Sequence, residues 1–583
     1  MLRETDKHRL FGGDSGPRAD GYKHNDGAHT THCQSGKTDA IASKGERRQK
    51  GFDLSRPDPH HNNAMHVLIV AGLLLFGPLA ALSQTTPLSN PRKISLQECI
   101  DSALRNNLDV QVQQVSSEIF RYDYQGAYGA YSPVLSLEAR RNFVSQPGDF
   151  DPQKFNPDFP YEMTTDTASS TLSGVLPYGL SYDLSAMAGE KKAITDFRSS
   201  PEDALLFPGG RRDTNNYVAE TSATARQHLL KDFWIDQNQL TLIIGRKNLQ
   251  VSQQALRFQI MRTVFAVEIA YFDLAALRES IRVQERAVEL KRQLVSEIQR
   301  RVQVGDLPGL DAEQAETELE NSLTALLNAR EEFTSQQNVL KSLITDDFLH
   351  LAEVNLEPAD MLVAVAQTVD RSESFQRALK NRPDLIEARL GVEKSQALVR
   401  FRMNQLFPAL DLVGRYGGLG VATSPSAAMS DASHFREPLY YYGAVVSLPL
   451  SNLKERNSYR ASKAQKQMAE LELKKAEQAV LVQVADWANR VESRFAQVSS
   501  TRRARAFAEL ALVSEQRKLQ NGLSTSFFVL QLQETLTQAQ SSELRALADY
   551  NKALAQLAFS EGSTLAKHRL VLEIGGTESS QEK

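Results

Sequence analysis

The residues that could bind a metal or transfer protons are scattered along this chain. Several possible metal ligands lie near the N-terminus: His24, His29, His32 and Cys33. Their spacing is irregular, whereas zinc sites repeat short, fixed ligand spacings. The histidines of the later chain are isolated from one another: His228, His350, His434 and His568. With no nucleophile motif and no nucleotide-binding fingerprint, the sequence predicts neither an enzyme nor a metal or cofactor site.

The overall composition argues against two further classes of protein. The 583 residues carry a formal net charge of −4, which gives no reason to expect nucleic acid as a partner. The mean hydropathy of −0.38 does not fit a bundle of membrane-spanning helices. The length of the chain is consistent with one large folded protein or with two subdomains.

One segment, residues 67–83, is continuously apolar. It is shorter than the roughly 20 residues that a spanning helix needs. It ends in the small residues Ala81 and Ser83, which suit cleavage by signal peptidase after Ser83. We therefore predict a signal peptide over 65–83, with Met65 as the true start.

The sequence on either side of this signal supports an exported protein. Residues 1–64 are polar and Gly-rich without periodicity, so we predict an extension outside the fold. Cleavage after Ser83 would leave Cys99 as the single cysteine, which excludes an intrachain disulfide. Packing alone must therefore hold the mature chain together.

Two short stretches interrupt long helical patterns with a glycine: VQVGDLPGLD at 302–311 and QNGLSTSFFVL at 520–530. Before each, apolar residues spaced by three and four continue for about 65 residues, as in an amphipathic helix. At about 1.5 Å per residue such a helix is roughly 100 Å long, which no compact domain requires. A helix of about 35 residues follows each stretch, over 311–346 and 525–560, so each glycine is predicted to turn a helical hairpin.

The chain is internally duplicated. ALRNNLDVQV at 103–112 matches ALKNRPDLIE at 378–387 at an offset of 275 residues, and each copy leads to a proline, Pro133 or Pro408. The pattern predicts one helix of about 35 residues ending at each proline, followed by strand-like alternation. The duplication predicts four segments after the signal: a first repeat at 84–350, a linker at 351–370, a second repeat at 371–560 and a polar tail at 561–583.

Strand patterns occupy about 134–228 in the first repeat and about 409–450 in the second. In YVAETSATARQ at 217–227, small apolar residues alternate with polar ones, and in YYYGAVVSLPL at 440–450, tyrosines and aliphatic residues share a face. Such strands suit a transmembrane β-barrel with lipid outside and water inside. A water-soluble sheet with one solvated face is the alternative. One chain has too few strands for a useful lumen, so several copies would share the barrel.

The paired ALRNN…SPVLSLEA and ALKNRPDL…FPALDL repeats, with the two glycine turns, resemble TolC-like outer-membrane efflux proteins over roughly residues 94–560. The resemblance implies an α+β membrane protein, a trimeric transmembrane β-barrel continued by a long antiparallel α-helical barrel in the periplasm. It implies an exit duct for efflux or type I secretion. The implied partners are two further copies of the chain, a periplasmic adaptor, an inner-membrane transporter of the RND or ABC type, and outer-membrane lipid.

In this family a helical hairpin of the adaptor meets the two turns at the periplasmic tip. Carried over to this chain, the docking residues are Val304, Gly305, Asp306, Leu307, Asn521, Gly522, Leu523 and Ser524. The alternative is a plain hairpin turn, because glycine readily adopts the positive φ that ends a helix. Asp311 and Gln314 are expected to cap the helix after the first turn, and Ser524 or Thr525 the helix after the second.

The residues that follow the turns predict an unusual gate. Some relatives have acidic residues after the second turn and a basic residue near it, whereas this chain has Phe528 and Gln531 there and keeps Asp311 after the first turn. We expect a gate closed partly by Phe528 side chains, since hydrophobic constrictions can gate by dewetting. Packing of Phe528 between neighbouring helices is the alternative.

A segment at 170–189 resembles an additional hairpin, beyond the four strands usual in the family. It predicts six strands per chain and a wider barrel of about 18 strands in a trimer. Folding of this hairpin over the barrel mouth is the alternative.

A secreted coiled-coil scaffold or adhesin without a pore is the second functional interpretation. It explains the signal and the long helices. It does not explain the strand-like alternation after Pro133 and Pro408 in both repeats.

Overall fold

The computed structural model of the chain describes residues 92–147, 149–151, 156–158, 160–196 and 210–570. Of the two units into which the chain divides, Met1–Gln84 and Thr85–Lys583, only the second contains described residues. Three predicted features lie outside them: the extension with its histidines, the signal peptide, and the tail beyond 570. The predictions made for these features stay predictions.

The two long hairpins are present, with closely matched lengths. The described helices of the first repeat are α1 (Leu96–Asn106), α2 (Leu108–Ala127), α3 (Gln237–Gln303), α4 (Gly309–Ile344) and α5 (Phe348–Ala352). Those of the second are α6 (Arg371–Asn381), α7 (Pro383–Asn404), α8 (Pro425–Ser433), α9 (Leu453–Gln520), α10 (Ser526–Glu561) and α11 (Thr564–Lys567). Helices α3 and α9 have 67 and 68 residues, and α4 and α10 have 36 each.

The shorter helical column of each repeat is broken in two, so the prediction of one continuous helix there was wrong. Asn107 separates α1 from α2 with ψ 123°, and Arg382 separates α6 from α7 with ψ 122°. The Asn107 side chain accepts hydrogen bonds from the first turn of α2, whereas Pro383 opens α7, where the missing N–H costs nothing. The apolar periodicity continues across both breaks and therefore concealed them.

The described strands are β1 (Arg92–Ile94), β2 (Val134–Gln146), β3 (Asp149–Asp151), β4 (Asn156–Asp158), β5 (Tyr161–Leu176), β6 (Leu180–Asp196), β7 (Arg211–His228), β8 (Leu356–Pro358), β9 (Ala409–Ala422) and β10 (Glu437–Ser447). Six of these form one antiparallel sheet in the order β10–β9–β7–β6–β5–β2. The predicted additional hairpin is β5–β6. It lies within this sheet, between β2 and β7, rather than folding over it.

The strand register gives the sheet two chemically different faces. Leu184 lies opposite Ala223, Ala223 opposite Tyr416, and Tyr416 opposite Tyr440. These residues share what we call the apolar face, which also carries Leu135, Leu137, Leu172, Leu412 and Val446. The opposite, polar face carries Glu138, Arg140, Asp183, Glu220, Arg226 and Arg415.

A short helix, α8, occupies most of the connection between β9 and β10. Its Ala428 and Ala432 are buried against Ala219 on the apolar face of the sheet. The Thr221 hydroxyl donates to the Ala432 carbonyl at 2.9 Å. Its Ser- and Ala-rich sequence has no strong amphipathic pattern, so periodicity could not identify it.

Buried apolar stripes hold the helices together. The predicted stripe on α9 is buried against α10 and α6 at Val480, Val484, Val491 and Val498. The stripe on α3 is buried at Val267, Tyr271 and Leu274. A further cluster joins both hairpins near the glycine turns and includes Leu294, Ile298, Ala315, Leu512, Val529 and Leu530. Burial of each such aliphatic side chain contributes about 1.5–3 kcal/mol.

The helices nearest the sheet form a row. Helix α2 packs against α3, α3 against α7, and α7 against α9. Farther from the sheet, the two hairpins meet through α3 and α10. Within the described ranges, no helix has a stretch long and apolar enough to cross a membrane.

Candidate adaptor-docking tip and gate

The first turn is built entirely by backbone hydrogen bonds. The N–H of Gly305 donates to the Val302 carbonyl at 3.0 Å, and that of Asp306 to the Arg301 carbonyl at 2.9 Å. This pattern is a Schellman motif, and it places Gly305 at φ 85°, where a Cβ would be strained. Val304, Gly305 and Asp306 are exposed, and Leu307 is half-buried.

The second turn repeats the same motif. Gly522 has φ 72°, and the N–H of Leu523 donates to the Lys518 carbonyl at 2.9 Å. Asn521, Gly522 and Leu523 are exposed, and Leu523 is 77% exposed. Each tip turn therefore presents apolar and polar groups beside a backbone held by glycine.

The predicted caps of the following helices are not formed. Pro308 and Thr525 occupy the N-cap positions, and neither makes a side-chain capping bond. Ser524 instead donates its hydroxyl to Glu515 at 2.5 Å, back across the turn. That hydrogen bond, together with Lys518, holds the pKa of Glu515 below its usual value. The side chain of Ser524 therefore secures the turn rather than the next helix.

The three predicted gate residues lie in the first two turns of the helices that follow the tip turns. The Ser526 hydroxyl donates to Asp311 at 3.4 Å, which links the beginnings of α10 and α4. Phe528 is 52% exposed, and its ring lies edge-on to that of Phe527 at 5.8 Å. Gln531 is exposed and lines a groove of about 980 Å³ between α4, α9 and α10. Phe528 is thus not buried between helices of its own chain.

A buried cation near the tip is a feature that the sequence analysis missed. Lys291 on α3 is only 2% exposed, and its ammonium group lies 3.2 Å from Glu318 of α4 and 3.4 Å from Glu534 of α10. One ion-pair partner therefore lies in each hairpin. A signal was available, because Lys291 falls within the apolar stripe that includes Leu294 and Ile298.

A second buried charge joins the end of the second repeat to the first. Glu268 on α3 is fully buried, and Lys567 and His568 bind its carboxylate at 2.6 and 2.9 Å. Burial alone would raise the pKa of Glu268, but the His568 hydrogen bond and the Lys567 charge hold it below its usual value. The residues after α10 are thereby fastened to the long helix of the first repeat.

Residues 375–563 match the family model described as outer membrane efflux protein. The outer membrane efflux protein BepC of Brucella suis biovar 1 (strain 1330) is 22% identical over 367 residues, which cover 62% of this chain and 71% of that protein. Residues 375–563 thus carry an outer membrane efflux protein domain, and the chain is similar to TolC-like outer-membrane channels. The protein is therefore located in the outer membrane, with a periplasmic extension.

Solved structures agree with this efflux-protein fold. The outer-membrane channel OprN has a TM-score of 0.58 at 14% identity, over 80% of this chain and 90% of that one. The Campylobacter jejuni CmeC outer membrane channel has a TM-score of 0.56 at 12% identity, over 80% and 86%. These relatives are channels and efflux proteins, which favours the channel interpretation over an enzyme or a secreted scaffold.

Proposed function

We propose that three copies of this efflux protein form an exit duct for a tripartite efflux or type I secretion system. The duct is a passive conduit that receives substrates from an inner-membrane transporter and releases them outside the cell. It crosses the outer membrane as a shared β-barrel, continues into the periplasm as a helical barrel, and closes at its tip.

This proposal rests on the unpaired edges of two layers, the sheet and the row of helices, which lie at corresponding positions. The sheet ends at β2 on one side and β10 on the other, and the row of helices ends at α2 and α9. Helix α2 leads into β2, and β10 leads into α9. A neighbouring copy can therefore extend both layers at once. Repetition of one head-to-tail contact closes into a ring.

Exposed apolar side chains support contact between these helical edges. On α2 they follow helical spacing: Leu108, Val112, Val115, Ile119 and Tyr122. On the half of α9 nearer the sheet, the exposed large apolar residues are Leu453, Met468, Leu471 and Val482. Because α2 runs toward the sheet and α9 away from it, the two stripes would pack antiparallel. Unpartnered apolar stripes of this length usually mark an interface.

The strand count and the two faces support an aqueous barrel. Six strands from each of three chains would give about 18, the size at which barrels leave a water-filled lumen. With the polar face inward, charged pairs such as Glu220 and Arg415 would line the lumen. The apolar face would then meet lipid.

At the periplasmic tip, we propose that the eight residues of the two turns dock the adaptor. The supporting observation is that Val304 and Leu523 are exposed on rigid, hydrogen-bonded turns. Leu523→Asp is expected to abolish co-purification with the adaptor and substrate export. Leu349→Asp, at a similarly exposed position on α5 (84% against 77%), is the matched control and should preserve both. Normal adaptor binding by Leu523→Asp would remove the docking role.

The gate would lie between the turns and Lys291. Phe528 supplies an exposed apolar ring, Gln531 a neutral polar group and Asp311 a link to α10. Lys291 ties the two hairpins together above them. Separation of the hairpins would leave this buried ammonium with fewer partners, a cost that favours the closed tip.

Reconstitution into planar lipid bilayers tests the proposed duct. The detergent-extracted protein is expected to run as a heat-sensitive trimer and to conduct ions in discrete steps. A monomer without conductance, or recovery in the soluble secreted fraction, would instead support the scaffold interpretation.

A further inference from the structure

A groove of about 660 Å³ crosses the apolar face of the sheet. On this face its larger lining side chains are Tyr182, Leu184, Tyr416, Tyr440 and Tyr442, and its smallest residues are Ala223, Ala225 and Gly414. Apart from the tyrosine hydroxyls, these side chains offer only hydrocarbon and aromatic surface. Thr224, Arg415 and Tyr441 also border it, but the strand register assigns their side chains to the opposite face.

The register explains why there is a groove here. One row across four strands reads Tyr182, Ala225, Gly414 and Tyr442, with two small residues between two tyrosines. In the next row, Ala223 lies between Leu184 and Tyr416. The small residues of β7 are therefore flanked along their length by large side chains.

Helix α8 borders the groove at the end farther from the helical hairpins. Phe435, just after α8, lies against Tyr416 with ring centroids 5.2 Å apart. A Cβ at Gly418 or Gly420 would collide with the α8 backbone, so glycine permits this close approach. The helix is also held by the hydrogen bond from Thr221.

On the side of α8 farther from the helical hairpins, the apolar face carries charged residues. Arg141 pairs with Asp166 at 2.6 Å, and Lys192 pairs with Glu190 at 2.9 Å, all on the same face. The hydrocarbon-compatible band therefore ends near α8. In the proposed orientation, that end is the outer surface of the membrane.

We propose that this groove binds an acyl chain of an outer-leaflet glycolipid, with the headgroup at the level of α8. The inference rests on the proposed function, in which the apolar face meets lipid. Neighbouring copies would join through the edges β2 and β10, which leaves the face of β6, β7 and β9 to lipid rather than protein. The groove adjoins the outer surface, so a chain descending from the outer leaflet enters it directly.

Native mass spectrometry of the full chain extracted from outer membranes tests this site. One glycolipid per chain is expected to survive extensive detergent exchange. After delipidation, purified lipid A should restore the bound mass, and phosphatidylethanolamine should not. Ala225→Phe fills the groove and is expected to lower retention at least tenfold, and Ala223→Leu should lower it less. Ala168→Phe, the same change at an exposed position of this face outside the groove, is the matched control.

Equal glycolipid retention by Ala225→Phe and the unmodified chain would overturn the proposal. So would retention of phospholipid or detergent alone. The same spectra count the chains in each particle, which separates this site from the proposed function. A trimer without glycolipid overturns the groove only, whereas a single chain with bound glycolipid supports the groove and overturns the trimer.

Discussion

The two helical hairpins have nearly equal lengths and the same turn motif, yet their interiors differ at the same height. Fourteen residues before its tip glycine, α3 buries Lys291, whereas α9 buries Ala508. Lys291 reaches a carboxylate in each hairpin, and Ala508 offers only a methyl group. The two repeats thus keep the same helix lengths but differ in the side chains that they bury. Because Lys291 pairs with Glu534 of α10, an ion pair ties the first hairpin to the second.

The breaks in the shorter columns show the same divergence. The Asn107 amide donates to the Leu343 carbonyl at 3.1 Å, and the Arg382 guanidinium donates to the Ser560 carbonyl at 3.1 Å. Each therefore ties its break to the end of the returning helix. Arg382 additionally binds Asp384 at 2.7 Å, so the second repeat uses a charge where the first uses a neutral amide.

The largest expected effect compares these two break residues. Arg382→Ala should destabilise the protein by about 3 kcal/mol, because it removes a mostly buried guanidinium from several partners. Asn107→Ala should cost about 1 kcal/mol, the usual loss for a helix cap. Denaturant midpoints followed by circular dichroism in detergent measure both. Equal losses of stability in the two variants would show that the charge of Arg382 adds nothing to the stability of the second break.

The junction between the repeats should respond to acid. The pKa of Glu268 is lower in the folded protein than in the unfolded chain, so its stabilising contribution is complete above the unfolded pKa, near 4.5. That contribution is lost as the pH falls through the lower folded value. Glu268→Gln should therefore reduce stability at neutral pH by about 2 kcal/mol and flatten the acid-dependent loss. Unfolding midpoints measured from pH 3 to pH 7 check this, and an unchanged pH profile would contradict it.

The two carboxylates around Lys291 provide a sharper comparison. Glu534→Gln weakens the link between hairpins, whereas Glu318→Gln weakens a link within one hairpin. We expect single-channel conductance to rise in Glu534→Gln and to stay unchanged in Glu318→Gln. Stability should change by less than about 1 kcal/mol in either, since both carboxylates are partly exposed. Equal conductance changes in the two variants would show that the ion pair between the hairpins does not control the gate.

The smallest expected effect concerns the exposed rings above the second turn. Phe528→Ala is expected to raise conductance by widening an apolar constriction. Phe527→Ala, the adjacent aromatic, is the matched control and should have less effect. An unchanged conductance in Phe528→Ala would remove the gate and favour packing against a neighbouring copy.

Periodicity and turn chemistry predicted much of the fold. The apolar stripes and the glycines at positive φ located both hairpins, and alternation located the strands. The helix breaks were missed because Asn107 and Arg382 preserve the apolar period while changing only ψ. The ion pairs of Lys291 with Glu534 and of Glu268 with Lys567 were missed because the partners are distant in sequence. Local patterns do not encode such pairings.

Disulfide cross-linking between copies tests the ring most directly. Val112→Cys on α2 and Leu471→Cys on α9 place thiols on opposite edges at similar distances from the sheet, and native Cys99 is buried. Oxidation of the double variant in membranes should give covalent products that end at three chains, and neither single variant should do so. A ladder that continues beyond three chains, or monomers only, would contradict a closed trimer joined through these edges.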